Sequence, residues 1–292
     1  LLGQSHRYWS NTYSEEAFLL SGAVVAGSSS TGAIYYNPGA ISQATNARLS
    51  LNSNILSVES IRLDNLLGET VDASVTDFEV LPSFFSLLFK DKKNPRLVYE
   101  IAWFSREAAS MEINEGLNGL REVFPALPGE ENFDARLEFK QEYSDYWAGF
   151  GAGYLLNERL SVGLSSFFIS RSGSYKYFND ISVYPTSDSV EVGVPPTPFF
   201  QAGFLERASF KFSQLRMIWK AGLLYTNERI QLGLNLTTPS YALPLLENSN
   251  ASKKISRTNA IDPQGEALQD FVIVDQQEEQ PIQFKDPFAL AL

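Results

Sequence analysis

Residues 159–168 read RLSVGLSSFF, and this stretch decides the fold class of the chain. Apolar side chains occupy every second position from Leu160 to Leu164 and return at Phe168, while serine and glycine dominate the positions between them. A period of two places successive side chains on opposite faces of a β-strand. The stretch therefore predicts a strand whose two faces meet different surroundings.

The same alternation recurs on both sides of this stretch. Residues 97–104 read LVYEIAWF, and residues 230–237 read IQLGLNLT. Repeated alternation of this kind indicates an all-β chain. It fits a membrane barrel with an apolar outside and a small-residue or polar inside. It fits a soluble β-sandwich equally well, because sandwich strands alternate in the same way.

The lengths of the segments favour the barrel over the sandwich. Strands of globular proteins have about 5 or 6 residues, whereas a tilted membrane strand needs about 9 to 11. The connections at 154–159 and 225–229 are short, while 179–206 and 245–270 are long, polar and rich in Pro, Ser and Asn. Short turns at one end and long loops at the other are typical of outer-membrane barrels. The strands are expected near 47–62, 77–89, 95–113, 133–155, 159–178, 207–226, 229–243 and 268–278.

Composition excludes several other classes of function. A net charge of −11 without a basic stripe argues against nucleic acid as a partner. The chain has no Cys and a single His, His6, so it offers no thiolate metal site and no catalytic triad. No apolar run approaches the 18 or so residues of a membrane helix. We expect no enzyme activity, no metal and no cofactor.

The first 47 residues differ from the rest of the chain. They lack sustained alternation, and residues 27–42 read GSSSTGAIYYNPGAIS. Pro38 fixes its own φ and pushes Asn37 towards an extended backbone, and Gly39 permits bends that other residues avoid. Asn37 can also bond the backbone two residues on. A plain turn before the first strand would use the same three residues, but a wide barrel can hold such a leader as a plug.

This run resembles the plug, or hatch, signature of FadL/TodX-type outer-membrane transporters of hydrophobic compounds. The resemblance continues at residues 143–163, YSDYWAGFGAGYLLNERLSVG, and at residues 215–240, LRMIWKAGLLYTNERIQLGLNLTTPS. It spans about residues 22–240 in order, although the loops do not match. Gly39-Ala40 stands where the family has the order Ala-Gly.

The resemblance implies a transmembrane antiparallel β-barrel of fourteen strands in the outer membrane of a Gram-negative bacterium. Residues 1–47 would then be the hatch inside the lumen, and residues 48–292 would supply about half of the barrel strands. The hatch motif implies that the gate comprises Tyr35, Tyr36, Asn37, Pro38 and Gly39. Phe104 and Phe167 are weaker candidates for the wall of a ligand pocket.

Two functions follow from the resemblance. The first is a channel, surrounded by membrane lipids, for passive uptake of hydrophobic small molecules such as long-chain fatty acids. The second is a non-transporting, FadL-like structural subunit of a larger outer-membrane assembly. In that case the long loops 179–206 and 245–270 would dock other outer-membrane proteins. A continuous apolar passage favours the channel, and a filled or polar interior favours the subunit.

Overall fold

The computed structural model describes residues 13–20, 23–26, 31–44, 49–63, 73–125, 129–186, 201–244, 247–262, 264–280 and 284–292. Its dominant feature is one antiparallel β-sheet, to which every strand of the described part of the chain belongs. The all-β, antiparallel expectation is therefore confirmed. The strands are β1 Leu49–Leu63, β2 Ala73–Lys90, β3 Leu97–Arg121, β4 Glu131–Leu155, β5 Leu160–Tyr184, β6 Ala202–Thr226, β7 Gln231–Thr237, β8 Tyr241–Ala242, β9 Asn248–Thr258, β10 Phe271–Glu278 and β11 Ala289–Ala291.

Neighbours in sequence are neighbours in the sheet from β1 through β7, and β11 pairs with β7. Strands β3 to β6 have 25 residues each, well beyond the length of ordinary globular strands. All the described strands are linked by hydrogen bonds into a single sheet. Within the described residues, no helix is both long enough and apolar enough to cross a membrane.

The short connections at 154–159 and 225–229 are tight turns that each contain the sequence Asn-Glu-Arg. Asn157 accepts hydrogen bonds from the N–H groups of Arg159 and Leu160, both at 2.9 Å, and thereby closes the turn between β4 and β5. In the turn between β6 and β7, the N–H of Asn227 donates to the carbonyl of Ile230 at 2.9 Å. Asn suits such turns because its side chain bonds nearby backbone groups.

The two long loops are the main correction to the sequence analysis. In the predicted loop 179–206, the first residues through Tyr184 belong to β5 and those from Ala202 belong to β6, while residues 187–200 lie outside the described part. The predicted loop 245–270 contains β9, which pairs with β6 from Asn248 to Thr258. Pairing with a long partner strand has overridden a weak local β-propensity in these polar stretches.

The strand expected over 229–243 is interrupted. Strand β7 ends at Thr237, and only the two residues of β8 follow before β9. Pro239 lies in the gap, and proline has no N–H to donate to a ladder. The expected strand at 268–278 is present as β10.

The N-terminal segment consists of three short helical pieces. These are α1 Glu15–Leu19, α2 Ala33–Tyr36 and a 3₁₀ helix at Pro38–Gln43. We call residues 13–44 the N-terminal segment, of which residues 21–22 and 27–30 lie outside the described part. The first strand begins at Leu49, close to the expected boundary at residue 47, and the assignment of 1–47 as a hatch stays a prediction.

The N-terminal segment packs on one face of the sheet, the covered face, and leaves the other face open. Along β5, Ser161, Ser165 and Phe167 are buried on the covered face, whereas Leu164 and Phe168 are 58% and 47% exposed on the open face. The alternation read from the sequence therefore separates the two faces as expected. Phe104 and the helix residues Ile34 and Ile41 belong to the same core cluster beneath the segment.

Candidate functional site on the covered face

Asn37 joins three parts of the chain. Its side-chain Nδ2 donates to the carbonyl of Val25 at 2.7 Å and to the carbonyl of Leu223 at 3.1 Å, while its Oδ1 accepts from the N–H of Gly39 at 3.0 Å. The residue is fully buried and its backbone is extended, with φ −154°. Asn37 thus caps the 3₁₀ helix and fixes the N-terminal segment to β6 with the same amide group.

Pro38 and Gly39 lie directly against the sheet backbone. A Cβ added at Gly163 would collide with the carbonyl of Pro38, and one added at Gly222 would collide with Oδ1 of Asn37. A Cβ on Gly39 would stand 3.0 Å from the carbonyl oxygen of Gly222. Glycines of β5 and β6 therefore provide the space in which the motif sits, because any side chain there would push the segment away.

Aromatic rings form a cluster between the predicted gate motif (residues 35–39) and the sheet. The ring centroid of Tyr35 lies 5.2 Å from that of Phe104 and 6.5 Å from that of Phe167, and the two Phe rings are 5.8 Å apart. Both Phe side chains are fully buried. Tyr13 and Trp147 complete the cluster, at 4.5 Å and 5.7 Å from Phe104. Phe104 and Phe167 are thus brought to the motif, and their role as a pocket wall stays a prediction.

The tyrosine hydroxyls of this cluster are held neutral. The hydroxyl of Tyr36 accepts a hydrogen bond from the N–H of Tyr13 at 3.0 Å. Burial raises the pKa of Tyr36 to about 12 and raises the pKa of Tyr13 well above its ordinary value. Tyr13 and Tyr36 therefore present neutral hydroxyl groups near neutral pH.

Two charged side chains of the covered face bind the backbone of the N-terminal segment. Glu100 on β3 accepts hydrogen bonds from the N–H groups of Gly32 and Ile34, both at 3.0 Å, and from Oγ of Ser86 at 2.6 Å. Lys220 on β6 donates to the carbonyl of Tyr35 at 2.6 Å, and its Nζ stands 3.9 Å from the centroid of the same ring. Both side chains are buried, Glu100 fully and Lys220 to 7% exposure.

A second polar group lies on the covered face, formed by Arg106, Asp145, Arg171 and Asp286. Arg171 bridges Asp145 at 3.1 Å and Asp286 at 2.7 Å, and Arg106 reaches Asp286 at 3.0 Å. The indole N–H of Trp147 donates to Asp145 at 2.9 Å, which connects this group to the aromatic cluster. The contacts of Asp286 hold the residues just before β11 against β3 and β5.

The sequence analysis missed Glu100, Lys220 and the Arg–Asp group. One signal was present at Glu100, which alternates with Val98, Ala102 and Phe104 on the same face of β3. A charge at such a position indicates a specific partner. That the partner is the backbone of residues 32–35 could not be read from the sequence, because the contacts span 66 to 185 positions.

A cavity of about 590 Å³ lies away from the gate motif. It is lined by the second halves of β3 and β5 and by the first halves of β4 and β6. Charged side chains line much of it, including Lys140, Lys176 and Arg207. Within the described residues, no group of three or more His, Asp or Glu side chains could hold a metal ion.

No protein-family model, no curated protein and no solved structure matches the chain.

Proposed function

We propose that the chain forms part of a β-barrel in the outer membrane of a Gram-negative bacterium, and that this barrel passes hydrophobic molecules. The observation that carries the proposal is a continuous band of exposed apolar side chains on the open face. It includes Phe85, Ile101, Trp103, Phe150, Leu164, Phe168, Trp219, Leu223, Leu234 and Leu236. Soluble proteins rarely expose so large an apolar patch, whereas a lipid-facing surface requires one.

The height of the band supports contact with lipid. Apolar residues dominate the open-face positions over 146–154 on β4, 160–168 on β5 and 215–225 on β6, which agrees with the 9 to 11 residues of a membrane strand. The next row consists of serines, with Oγ of Ser144 and Oγ of Ser172 2.8 Å apart. Charged residues such as Glu142 and Lys140 follow. An apolar band that ends at a polar row is expected at a membrane boundary.

The covered face supports a gated passage. Its glycines and serines hold the N-terminal segment, and its aromatic cluster offers apolar surface next to the gate motif. Burial of apolar surface is favourable by about 25 cal/mol per Å², so rings exposed by movement of the segment would bind an apolar molecule. The mechanism is passive diffusion, gated by residues 35–39.

Uptake of a radiolabelled long-chain fatty acid by Gram-negative cells that lack their own channel tests this function. Phe167→Ala removes a ring from the aromatic cluster, and Phe168→Ala removes the adjacent ring from the open face. At equal surface amounts of protein, we expect uptake with the wild type, a changed rate with Phe167→Ala and an unchanged rate with Phe168→Ala. Uptake equal to that of cells without the protein would contradict the channel.

The hairpin formed by β9 and β10 favours the second candidate, a structural subunit of an outer-membrane assembly. On β10, Val272, Ile273 and Val274 are 63%, 57% and 58% exposed. Three consecutive exposed β-branched residues suit a docking strand better than a solvated one. Absence of uptake, together with a partner protein that is lost on Ile273→Asp, would support this candidate instead.

A further inference from the structure

Glu100 and Lys220 hold helix α2 from two sides. Glu100 lies on β3 and Lys220 on β6, with β4 and β5 between them in the sheet. Glu100 binds the N–H groups of Gly32 and Ile34 at 3.0 Å each, and Lys220 binds the carbonyl of Tyr35 at 2.6 Å. The two side chains thus bind the backbone at the start of the helix and at Tyr35, the first residue of the gate motif.

Within the described part of the chain, backbone groups and Ser86, not side chains of opposite charge, are the hydrogen-bond partners of Glu100 and Lys220. Among the described residues, no ion pair joins Glu100 or Lys220 to an oppositely charged group. A buried charge needs hydrogen bonds in place of water. If the segment left the sheet, Glu100 would keep only Ser86 among its described partners, and Lys220 would lose the carbonyl of Tyr35. Both polar side chains would then have to be hydrated.

We infer that Glu100 and Lys220 form a polar clamp, made of their hydrogen bonds to Gly32, Ile34 and Tyr35, that keeps the N-terminal segment in its closed position. The inference rests on the proposed function, because it takes residues 35–39 as the gate. The aromatic cluster holds the segment by non-directional contacts that tolerate sliding, whereas the clamp fixes backbone atoms at set distances. Release of the segment requires that water or another polar group replace the three clamp hydrogen bonds. Entry of water is therefore part of gate opening.

A single cysteine can report release of the segment, because the chain contains no Cys. Ala40 is fully buried in the 3₁₀ helix, so Ala40→Cys reacts with a maleimide only when the segment moves. The rate is measured in lipid vesicles for the reporter alone and with Glu100→Gln or Lys220→Met added. Loss of hydrogen bonds to a charged group predicts a rate increase of roughly 10- to 100-fold.

The controls remove the same charges from the open face. Lys211→Met changes an exposed lysine of β6, and Glu142→Gln changes an exposed glutamate of β4. Both should leave the maleimide rate within about twofold of the reporter, since surface charges contribute little. Circular dichroism shows which variants keep the sheet, and either clamp variant can carry the test if the other fails to fold.

Two outcomes separate the clamp from the transport function. An unchanged maleimide rate in folded Glu100→Gln and Lys220→Met overturns the clamp, whatever the protein transports. A raised rate in the clamp variants confirms the clamp even if fatty-acid uptake is absent from every variant, and that result contradicts only the channel.

Discussion

At the scale of single residues, Asn37 is the position where one atom decides the packing of the N-terminal segment. Its Nδ2 faces the carbonyl oxygens of Val25 and Leu223. Asn37→Asp replaces that donor with a carboxylate oxygen that would repel both carbonyls in a buried site. Asn37→Ala only removes the bonds, at a cost of about 1–3 kcal/mol for the groups left unsatisfied. We expect Asn37→Asp to lower the free energy of unfolding in urea more than Asn37→Ala does. Asn114→Asp, on an exposed part of β3, should change it by less than about 0.5 kcal/mol.

Gly163 tests whether the sheet backbone must lie close to the segment. A methyl group at Gly163 would collide with the carbonyl of Pro38, so Gly163→Ala should cost about 1–3 kcal/mol. Because the clash is with the segment and not with the neighbouring strands, residues 31–44 should become sensitive to protease while the sheet remains intact. At Gly116 the added Cβ would stand 3.7 Å from the nearest atom, the carbonyl of Ala135, which is an ordinary contact. Equal protease sensitivity of Gly163→Ala and Gly116→Ala would contradict this account.

At the scale of the elements, the sequence predicted strands where local alternation is strong and missed them where pairing alone determines the structure. Residues 97–104 and 159–168 carry two chemically different faces, so a period of two was visible without any partner. The sequence of β9, NSNASKKISRT, has little apolar periodicity and becomes a strand through its pairing with the first half of β6, Gly203 to Ser213. For this reason, both long loops were predicted to be longer than they are.

The candidate site likewise has one part that local sequence predicts and another part that depends on distant contacts. The turn chemistry of Asn37, Pro38 and Gly39 is local, so the short-range bond from Gly39 to Asn37 could be predicted. The partners of Glu100 and Lys220 depend on how the segment lies across β3 to β6, and no local rule gives that arrangement. Asp286 was missed because its partners, Arg106 on β3 and Arg171 on β5, lie 180 and 115 positions away.

Asp286 connects residues 284–291, which include the edge strand β11, to strands β3 and β5. It accepts from Arg171 at 2.7 Å and from Arg106 at 3.0 Å, and its N–H donates to Oγ of Ser240 at 2.8 Å. Asp286→Asn removes the charge that faces the two guanidinium groups, and breaking such a buried pair costs about 3–5 kcal/mol. Hydrogen exchange at Ala289–Ala291 should accelerate by at least roughly tenfold as its pairing with β7 opens. Asp275→Asn, exposed on β10, should leave that exchange unchanged.

At the scale of the whole molecule, the sheet separates two environments, and its tryptophans report them. Trp103 and Trp219 are 41% and 38% exposed on the open face, whereas Trp147 is 3% exposed on the covered face. If the open face contacts lipid, bromine atoms placed on the acyl chains of vesicle lipids should quench the fluorescence of Trp103 and Trp219. Trp147 should be quenched far less, because it lies on the opposite face of the sheet from the lipid, beneath the N-terminal segment.

The measurement uses three variants that each keep one of these tryptophans and replace the other three of the chain, Trp9 included, by Phe. The ratio of quenching between the variants decides the question, since all three share the same vesicle and the same sheet. Strong quenching of Trp103 and Trp219 with weak quenching of Trp147 would support the open face as the lipid-facing surface. Equal quenching at all three sites would mean that the sheet lies on the bilayer without separating lipid from an interior. Absence of quenching, in protein that stays dispersed without detergent, would contradict the membrane location and with it the channel.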